Sequence, residues 1–263
     1  MTLRVAVSGS GQMGARILTT VAAADGLEIA GVIEKYSHGR TYALSDGRTV
    51  PLTQSVTGLR DLGADVVVDF SNAAWTEQIL PLAIEAGVSP VVGTSGLPDA
   101  LIEQSAAACA AQRLGGVVAA NFALGAVMLM HLARVAAPFF DAAEVIEQHH
   151  DGKVDAPSGT AIATARGMRE ARTEDFGRNV AEQETLPDAR GAALAGVTLH
   201  SVRLPGLVAH QEVIFGGLGE TLTLRHDSTS RESFMPGVLR AIRAVPQLDH
   251  LVIGLDRLLG LRD

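Results

Sequence analysis

Leu3-Arg4-Val5-Ala6-Val7-Ser8-Gly9-Ser10-Gly11-Gln12-Met13-Gly14 begins with a strand and runs directly into a glycine turn. Leu3 to Ser8 is short and apolar, with β-branched Val5 and Val7, the composition of a buried strand. Ala15 to Ala24 then repeats apolar residues at helical spacing. Leu27 to Ile33 is a second apolar strand, and it ends at Glu34-Lys35. Strand, glycine turn, helix and strand in this order form the opening unit of a dinucleotide-binding fold, whose turn cradles a pyrophosphate. Without the flanking strand and helix, the same glycines would serve tight packing equally well. Glu34 lies 20 positions beyond Gly14, a spacing that suits a carboxylate accepting hydrogen bonds from the adenine ribose.

Downstream the alternation continues. Asp65 to Phe70 is a strongly apolar strand, of the kind buried on both faces of a parallel sheet. Ser71 or Asn72 caps a helix over Ala73 to Ala86, and Gly87 ends it. Pro90 to Val92 is a strand that closes at Gly93-Thr94-Ser95-Gly96, a small-residue loop where ligands of open α/β sheets bind. Asp99 to Gln112 is an alanine-rich helix, and Gly116 to Ala120 is a strand ending at Asn121-Phe122. Five strands alternating with helices predict a Rossmann-type, doubly wound α/β domain. Tyr36 to Leu62 is polar and reads as irregular, apart from a short strand near Val50.

Phe122 to Phe140 is mostly helical, with His131 as a structural histidine. Thr173 to Ala195 has many charges and no clear period, and reads as a loop. From Thr198 the pattern becomes alternating. Thr198 to Arg203, Val208 to Phe215 and Glu220 to His226 read as antiparallel strands with one buried face. Together with a strand near Ala143 they predict a second α+β domain with a mixed sheet. Its polar positions His200, His210, Gln211, Glu212, Arg225 and His226 read as solvated or interface residues. The apolar tail Leu251 to Leu259 returns to the first domain.

Bulk composition narrows the function. A chain of 263 residues suits two modest domains, and 47% hydrophobic with 19% charged residues is the balance of a globular protein. A net charge of −8 argues against nucleic acid as the main partner, because phosphate binding needs a basic surface. No basic amphipathic stretch points to a membrane surface. Leu114 to Met130, the most apolar region, is interrupted by Asn121 and falls short of the ~20 apolar residues of a membrane span. A lone Cys109 excludes an intrachain disulfide, and a first strand starting at Leu3 leaves no room for a cleaved signal peptide. The cytoplasm is the expected location.

The chemistry concentrates in Glu147-Gln148-His149-His150-Asp151-Gly152-Lys153-Val154-Asp155-Ala156-Pro157-Ser158-Gly159-Thr160-Ala161. A strand from Ala143 to Glu147 leads in, and a helix from Thr160 to Arg172 leads out. Backbone N–H groups at a helix start bind carboxylates, here joined by the Ser158 and Thr160 hydroxyls. Only two lysines occur in the chain, Lys35 and Lys153, against 21 Lys plus Arg in all. At Lys153 a compact ammonium with rotating donors serves the site where arginine would not. His149, His150, Asp151 and Asp155 could also be read as metal ligands. Neighbours on a strand point to opposite faces, and neither HExxH nor thiolate ligands are present, so no metal is expected. Proton donors, a fixed positive charge and an anion cradle suit a reductase of a carboxylated, nitrogen-containing small molecule.

This block closely resembles the signature of the 4-hydroxy-tetrahydrodipicolinate reductase family, formerly called dihydrodipicolinate reductases, of the diaminopimelate and lysine pathway. The likeness spans nearly the whole chain. Asp65 to Phe70, Gly93-Thr94-Ser95-Gly96, Asn121-Phe122-Ala123-Leu124-Gly125 and His226 to Arg231 follow in the expected order. The resemblance implies His149 as proton donor, His150 as a substrate-binding imidazole and Lys153 as the lysine that contacts substrate and assists protonation. It implies a substrate carboxylate at Ser158, Gly159 and Thr160. It implies a nicotinamide cofactor, NADH or NADPH, with its pyrophosphate on Gly9, Ser10, Gly11, Gln12, Met13 and Gly14. Glu34, with Lys35 beside it, would meet the adenine ribose. Gly93, Thr94 and Ser95 with Ala119, Ala120, Asn121 and Phe122 would line the nicotinamide side, and Arg231 would lie near the domain junction. The implied domains are 1–121, completed by 231–263, for the cofactor, and 122–230 for substrate and assembly into a homotetramer through its sheets. The implied reaction delivers hydride to C4 of a cyclic unsaturated dicarboxylate, with loss of the 4-hydroxyl as water and protonation of the enamine. One feature departs from the family: the first loop is one residue shorter than its common GxxGxxG. Two other readings stay open, another amino-acid dehydrogenase of the same plan and a nicotinamide-sensing regulator without chemistry.

Overall fold

The glycine turn is flanked as its sequence requires. β1 (Leu3–Ser8) precedes it, α1 (Gln12–Ala22) follows, and β2 (Leu27–Ile33) pairs parallel to β1. The computed structural model describes residues 2–178 and 182–262. The chain divides into two compact units, Met1–Phe122 with Phe234–Asp263, and Ala123–Ser233.

The first unit continues with β3 (Thr41–Ala43), β4 (Thr49–Thr53), β5 (Val66–Asp69), α2 (Ala73–Glu85), β6 (Ser89–Val92), α3 (Asp99–Gln112) and β7 (Gly116–Val118). The second holds α4 (Leu124–Ala136), β8 (Ala142–His149), α5 (Gly159–Glu170), β9 (Ala192–Leu194), β10 (Val197–Arg203), β11 (Ala209–Gly217) and β12 (Glu220–Ser228). α6 (Met235–Ala244), β13 (Leu251–Ile253) and α7 (Leu255–Leu258) then rejoin the first unit.

The first sheet runs β13-β7-β6-β5-β1-β2-β4-β3, parallel except for β3. β5 and β6 are buried along their whole length, as strands covered on both faces must be. Eight strands replace the five read from alternation. β13 adds one edge beside β7, and β4 with β3 add the other beside β2. Tyr36 to Leu62 is therefore not irregular. It supplies two strands and the 3-10 turn Val56–Asp61, which drops Leu59 fully into the core. β4 pairs with β2 through only Val32↔Leu52 and Ile33↔Thr53, so backbone pairing decides it and side-chain period leaves little trace. Asn72 caps α2 by accepting from the Trp75 amide at 3.2 Å. Asn72→Ala is expected to cost about 1 kcal/mol, read as a lower urea midpoint for the variant.

In the second unit the sheet order is β12-β11-β8-β10-β9. It is mixed, but β10 runs parallel to β8, against the antiparallel expectation. The connection carries α5 and the segment after it, and a long crossover is what parallel pairing needs. Alternation reports a strand's face and is silent on its direction. The expected loop Thr173 to Ala195 contains β9, which pairs antiparallel with β10 across Ala195 and Gly196, both at positive φ. Residues 179–181 of that stretch lie outside the described residues. The inner face packs Val145, Val213 and Phe215 against Ala161, Ala165 and Met168 of α5 and Leu129 and Ala133 of α4. The Phe215 ring stacks on Phe140 at 5.3 Å and meets Phe176 at 6.4 Å.

Candidate active site

In the first unit, the glycine turn and the loops after β5, β6 and β7 all lie at the carboxyl ends of parallel strands, where open α/β sheets bind ligands. Gly9 has φ +85° and donates its amide to the Ile33 carbonyl at 2.8 Å. A Cβ on Gly14 would lie 1.9 Å from the Gly9 carbonyl oxygen, so α1 can approach the turn only through glycine. Gly11 is the N-cap of α1 and makes no side-chain cap, and no acidic residue occupies the first turn. Nothing lies within 4 Å of a Cβ built on Gly11. Gln12 and Met13 open α1 directly above it. The turn is thus a backbone cradle at an uncapped helix start, which fits the pyrophosphate of a dinucleotide.

Glu34 does not stand free beside this cradle. Its Oε2 accepts from the Ser10 amide at 2.8 Å and the Ser10 hydroxyl at 2.9 Å, and its Oε1 accepts from the Tyr36 amide at 3.2 Å. Partial burial pushes its carboxyl up, but the bonds from Ser10 and Tyr36 outweigh this and hold it below the ordinary value. Lys35 turns away, with its ammonium 5.6 Å from the centroid of the exposed Tyr36 ring.

A carboxylate the sequence reading passed over organises the neighbouring loops. Asp69, fully buried at the end of β5, accepts from the Ser71 hydroxyl at 2.7 Å, from Thr94 at 3.2 Å and from Thr76. It thereby fixes Thr94 within the Gly93–Ser95 loop. A Cβ on Gly93 would fall 2.1 Å from the Phe70 ring, and that ring packs on Phe122 with centroids 5.1 Å apart. Phe122 is fully buried, so its ring serves packing, while Ala120 and Ser95 are exposed at the strand ends. Ala119 is buried and bonds through its amide to Val92.

In the second unit, β8 extends to His149, beyond the expected Glu147. Glu147 and His149 share a face because they are two residues apart on a strand. Glu147 is fully buried, and its Oε2 lies 2.5 Å from His149 Nδ1. Arg203, beside His149 on β10, grips the same carboxylate with two nitrogens, at 2.9 Å to Oε2 and 2.7 Å to Oε1. The Ser158 amide donates to Oε1 at 3.2 Å. Burial alone would raise the Glu147 carboxyl, but hydrogen bonds from His149, Arg203 and Ser201 hold it at about 2. A depressed carboxyl gives stability that is complete above its unfolded value of 4.5 and is lost as pH falls toward 2, so the group is ionised throughout the neutral range.

The arginine also ties in the loop. Its guanidinium donates to the Asp155 carbonyl at 2.7 Å, and the Asp155 carboxylate lies 2.5 Å from Lys153 Nζ. His150 is exposed where His149 is not. Ser158 stands at the start of α5. Its hydroxyl oxygen is the N-cap of α5, accepting from the Ala161 amide at 3.2 Å, and it is buried. Gly159 and Thr160 form the open end of the helix, with nothing within 4 Å of a Cβ on Gly159. Arg231 is exposed in the short 3-10 turn Arg231–Phe234. Glu147 and Arg203 are named in the sequence reading but are given no role at the site there. The i, i+2 spacing of Glu147 and His149 was the available signal, whereas Arg203 lies 56 residues away. Among the described residues no group of three or more His, Cys, Asp or Glu side chains is arranged to hold a metal, and no helix is long and apolar enough to cross a membrane.

Comparison with known proteins finds the same plan. Residues 3–122 match the family described as "Dihydrodipicolinate reductase, N-terminus", and residues 125–259 the one described as "Dihydrodipicolinate reductase, C-terminus". A 4-hydroxy-tetrahydrodipicolinate reductase from Geobacillus thermodenitrificans is 44% identical over 264 residues, covering 98% of this chain and 100% of that protein. A dipicolinate-bound dihydrodipicolinate reductase structure from Paenisporosarcina sp. TG-14 superposes with a TM-score of 0.88 at 39% identity, covering 98% of this chain and 99% of the other. An amine dehydrogenase from Mycobacterium smegmatis, at 17% identity and a TM-score of 0.67 over 100% of this chain and 98% of its own, shares the fold alone.

Proposed function

This chain belongs to the dihydrodipicolinate reductase family, NAD(P)H-dependent oxidoreductases of diaminopimelate and lysine biosynthesis, and we propose that His149 is its proton donor and Lys153 its assisting cation. The observation that carries this reading is the buried, ionised Glu147 on His149 Nδ1, which leaves the imidazole's other nitrogen as the working one. One substrate carboxylate binds the Gly159 and Thr160 amides at the start of α5, which no acidic residue in the first turn opposes. Lys153 offsets the remaining negative charge, and the exposed His150 contacts the ring substituents. The 4-hydroxyl first leaves as water with a proton from the neighbouring ring carbon, and reduced nicotinamide, when bound, would supply the hydride that C4 of the resulting unsaturated ring receives. His149 Nε2 then protonates the enamine, so one hydride and one proton are gained and one water is lost.

The unit Met1–Phe122 with Phe234–Asp263 is proposed to hold the cofactor. Gly9 to Gly14 take the pyrophosphate, Glu34 the ribose, and Gly93 to Ser95 with Ala119 to Phe122 the nicotinamide side. Arg231 is kept as a further cofactor-side residue. Glu34 is held next to the cradle by Ser10, so its charge opposes a 2′-phosphate, while Lys35 can leave Tyr36 to offset one. Both cofactors are proposed to work, with NADH favoured. The unit Ala123–Ser233 is proposed to bind substrate and to build a homotetramer through the sheet face bearing Glu144 and Ile146, which alternate with the buried Ala143, Val145 and Glu147. A cytoplasmic setting agrees with such a biosynthetic role.

The test generates the substrate in place from pyruvate and aspartate semialdehyde with the preceding synthase. Cofactor absorbance is then followed with NADH and NADPH separately. Synthase-dependent oxidation of both, faster with NADH at limiting cofactor, is the expected result. Clear cofactor binding without oxidation would move the assignment to another dehydrogenase or to a sensor.

A further inference from the structure

Four polar side chains stand in register across the inner face of the second sheet. Ser201 of β10 pairs with Glu147 of β8, Glu147 with Gln211 of β11, and Gln211 with His226 of β12. The row stands where the apolar face gives way to His149 and Arg203, and at its centre is a carboxylate with no exposure to solvent. Burying a charge costs several kcal/mol unless it is paired and hydrogen-bonded. Two charge-assisted bonds from Arg203, one from the Ser158 amide and one from Ser201 satisfy Glu147. Its remaining contact is His149 Nδ1, at 2.5 Å.

We infer that Glu147, gripped by Arg203, is a positioning residue that fixes the tautomer and orientation of His149. The inference deepens the proton-donor reading and rests on it. An ionised carboxylate only accepts hydrogen bonds, so the proton between the two groups belongs to Nδ1. The neutral imidazole is therefore protonated on Nδ1 and open on Nε2, ready to be reloaded after each turnover. Arg203 prevents the carboxylate from rotating away, since both of its oxygens are held. The same guanidinium holds the Asp155 carbonyl, and the Asp155 carboxylate holds Lys153 Nζ, so one arginine sets the places of both reacting side chains. Glu147 on the same strand contacts His149, and Arg203 on β10 stands in register with it, while Lys153 and Asp155 follow in the loop before α5. Gln211 on β11 faces Glu147 without charge, its amide donating to Thr164 at 2.8 Å.

The experiment compares Glu147→Gln with His149→Gln in the full-length protein, measuring kcat, KM, cofactor affinity and the pH profile of kcat. The glutamine keeps the shape and removes the charge. Expected for Glu147→Gln are a kcat about 10- to 100-fold lower, KM changed far less, and a pH profile of kcat that differs from wild type. An inactive His149→Gln beside a Glu147→Gln of wild-type kcat and pH profile overturns the positioning role and leaves the donor intact. A fully active His149→Gln overturns the donor reading itself. If Glu147→Gln does not fold, nitrogen NMR of His149 in the wild-type enzyme decides. A neutral imidazole protonated on Nδ1 supports the inference, and one protonated on Nε2 sinks it.

Discussion

His149→Gln is expected to lower kcat by about 10²- to 10⁴-fold, the range general acid catalysis contributes, while cofactor binding stays at its wild-type value. The two effects separate because His149 lies at the end of β8 in the second unit, and the glycine turn lies in the first. Glutamine has neither a titratable proton nor an Nδ1–H to donate to Glu147. The KM for substrate should move little, since Lys153 and the helix start at Gly159 and Thr160 remain. Steady-state kinetics with NADH, with a fluorescence titration of NADH binding, reads both quantities. A turnover equal to wild type would remove His149 from the chemistry. A matching loss of cofactor affinity would instead point to a folding defect.

Gly14→Ala is expected to weaken NADH binding by at least about tenfold, equivalent to about 1.4 kcal/mol, and to lower the thermal midpoint as well. The added Cβ would sit 1.9 Å from the Gly9 carbonyl oxygen and 2.8 Å from its carbon. Both are backbone atoms, so no side-chain rotation relieves the contact. Either α1 moves off β1 or the Gly9 peptide turns out of its bond to Ile33. Each movement spoils the cradle. Unchanged affinity and stability in Gly14→Ala would show that the turn does not depend on this contact.

The legible parts of the molecule are those whose cause is local. α3 was read with its observed limits, Asp99 to Gln112, and β1 and β2 likewise, because apolar period and glycine punctuation lie within the segment itself. Gly9 to Gly14 could be read as an anion cradle because strand and helix flank it directly. Ser158 shows what such reading leaves out. Its position before a helix points to a hydroxyl near an anion, and the fold adds that its oxygen caps α5 and its amide donates to Glu147.

By itself the sequence determined the fold class, the glycine turn between β1 and α1, and the family, since each follows from spacing along a few turns or strands. The tertiary structure decided the direction of β10, the edge strands β3 and β4, the buried Asp69 that binds Thr94, and the clasp of Arg203 on Glu147. These depend on which distant segments lie side by side. A periodic pattern records which face of a segment is buried, but neither the neighbour's direction nor the partner that neutralises a buried charge. Both are chosen when long-range pairing brings residues such as Glu147 and Arg203 to the same place in a low-dielectric interior, where an ion is stable only with its counter-ion beside it.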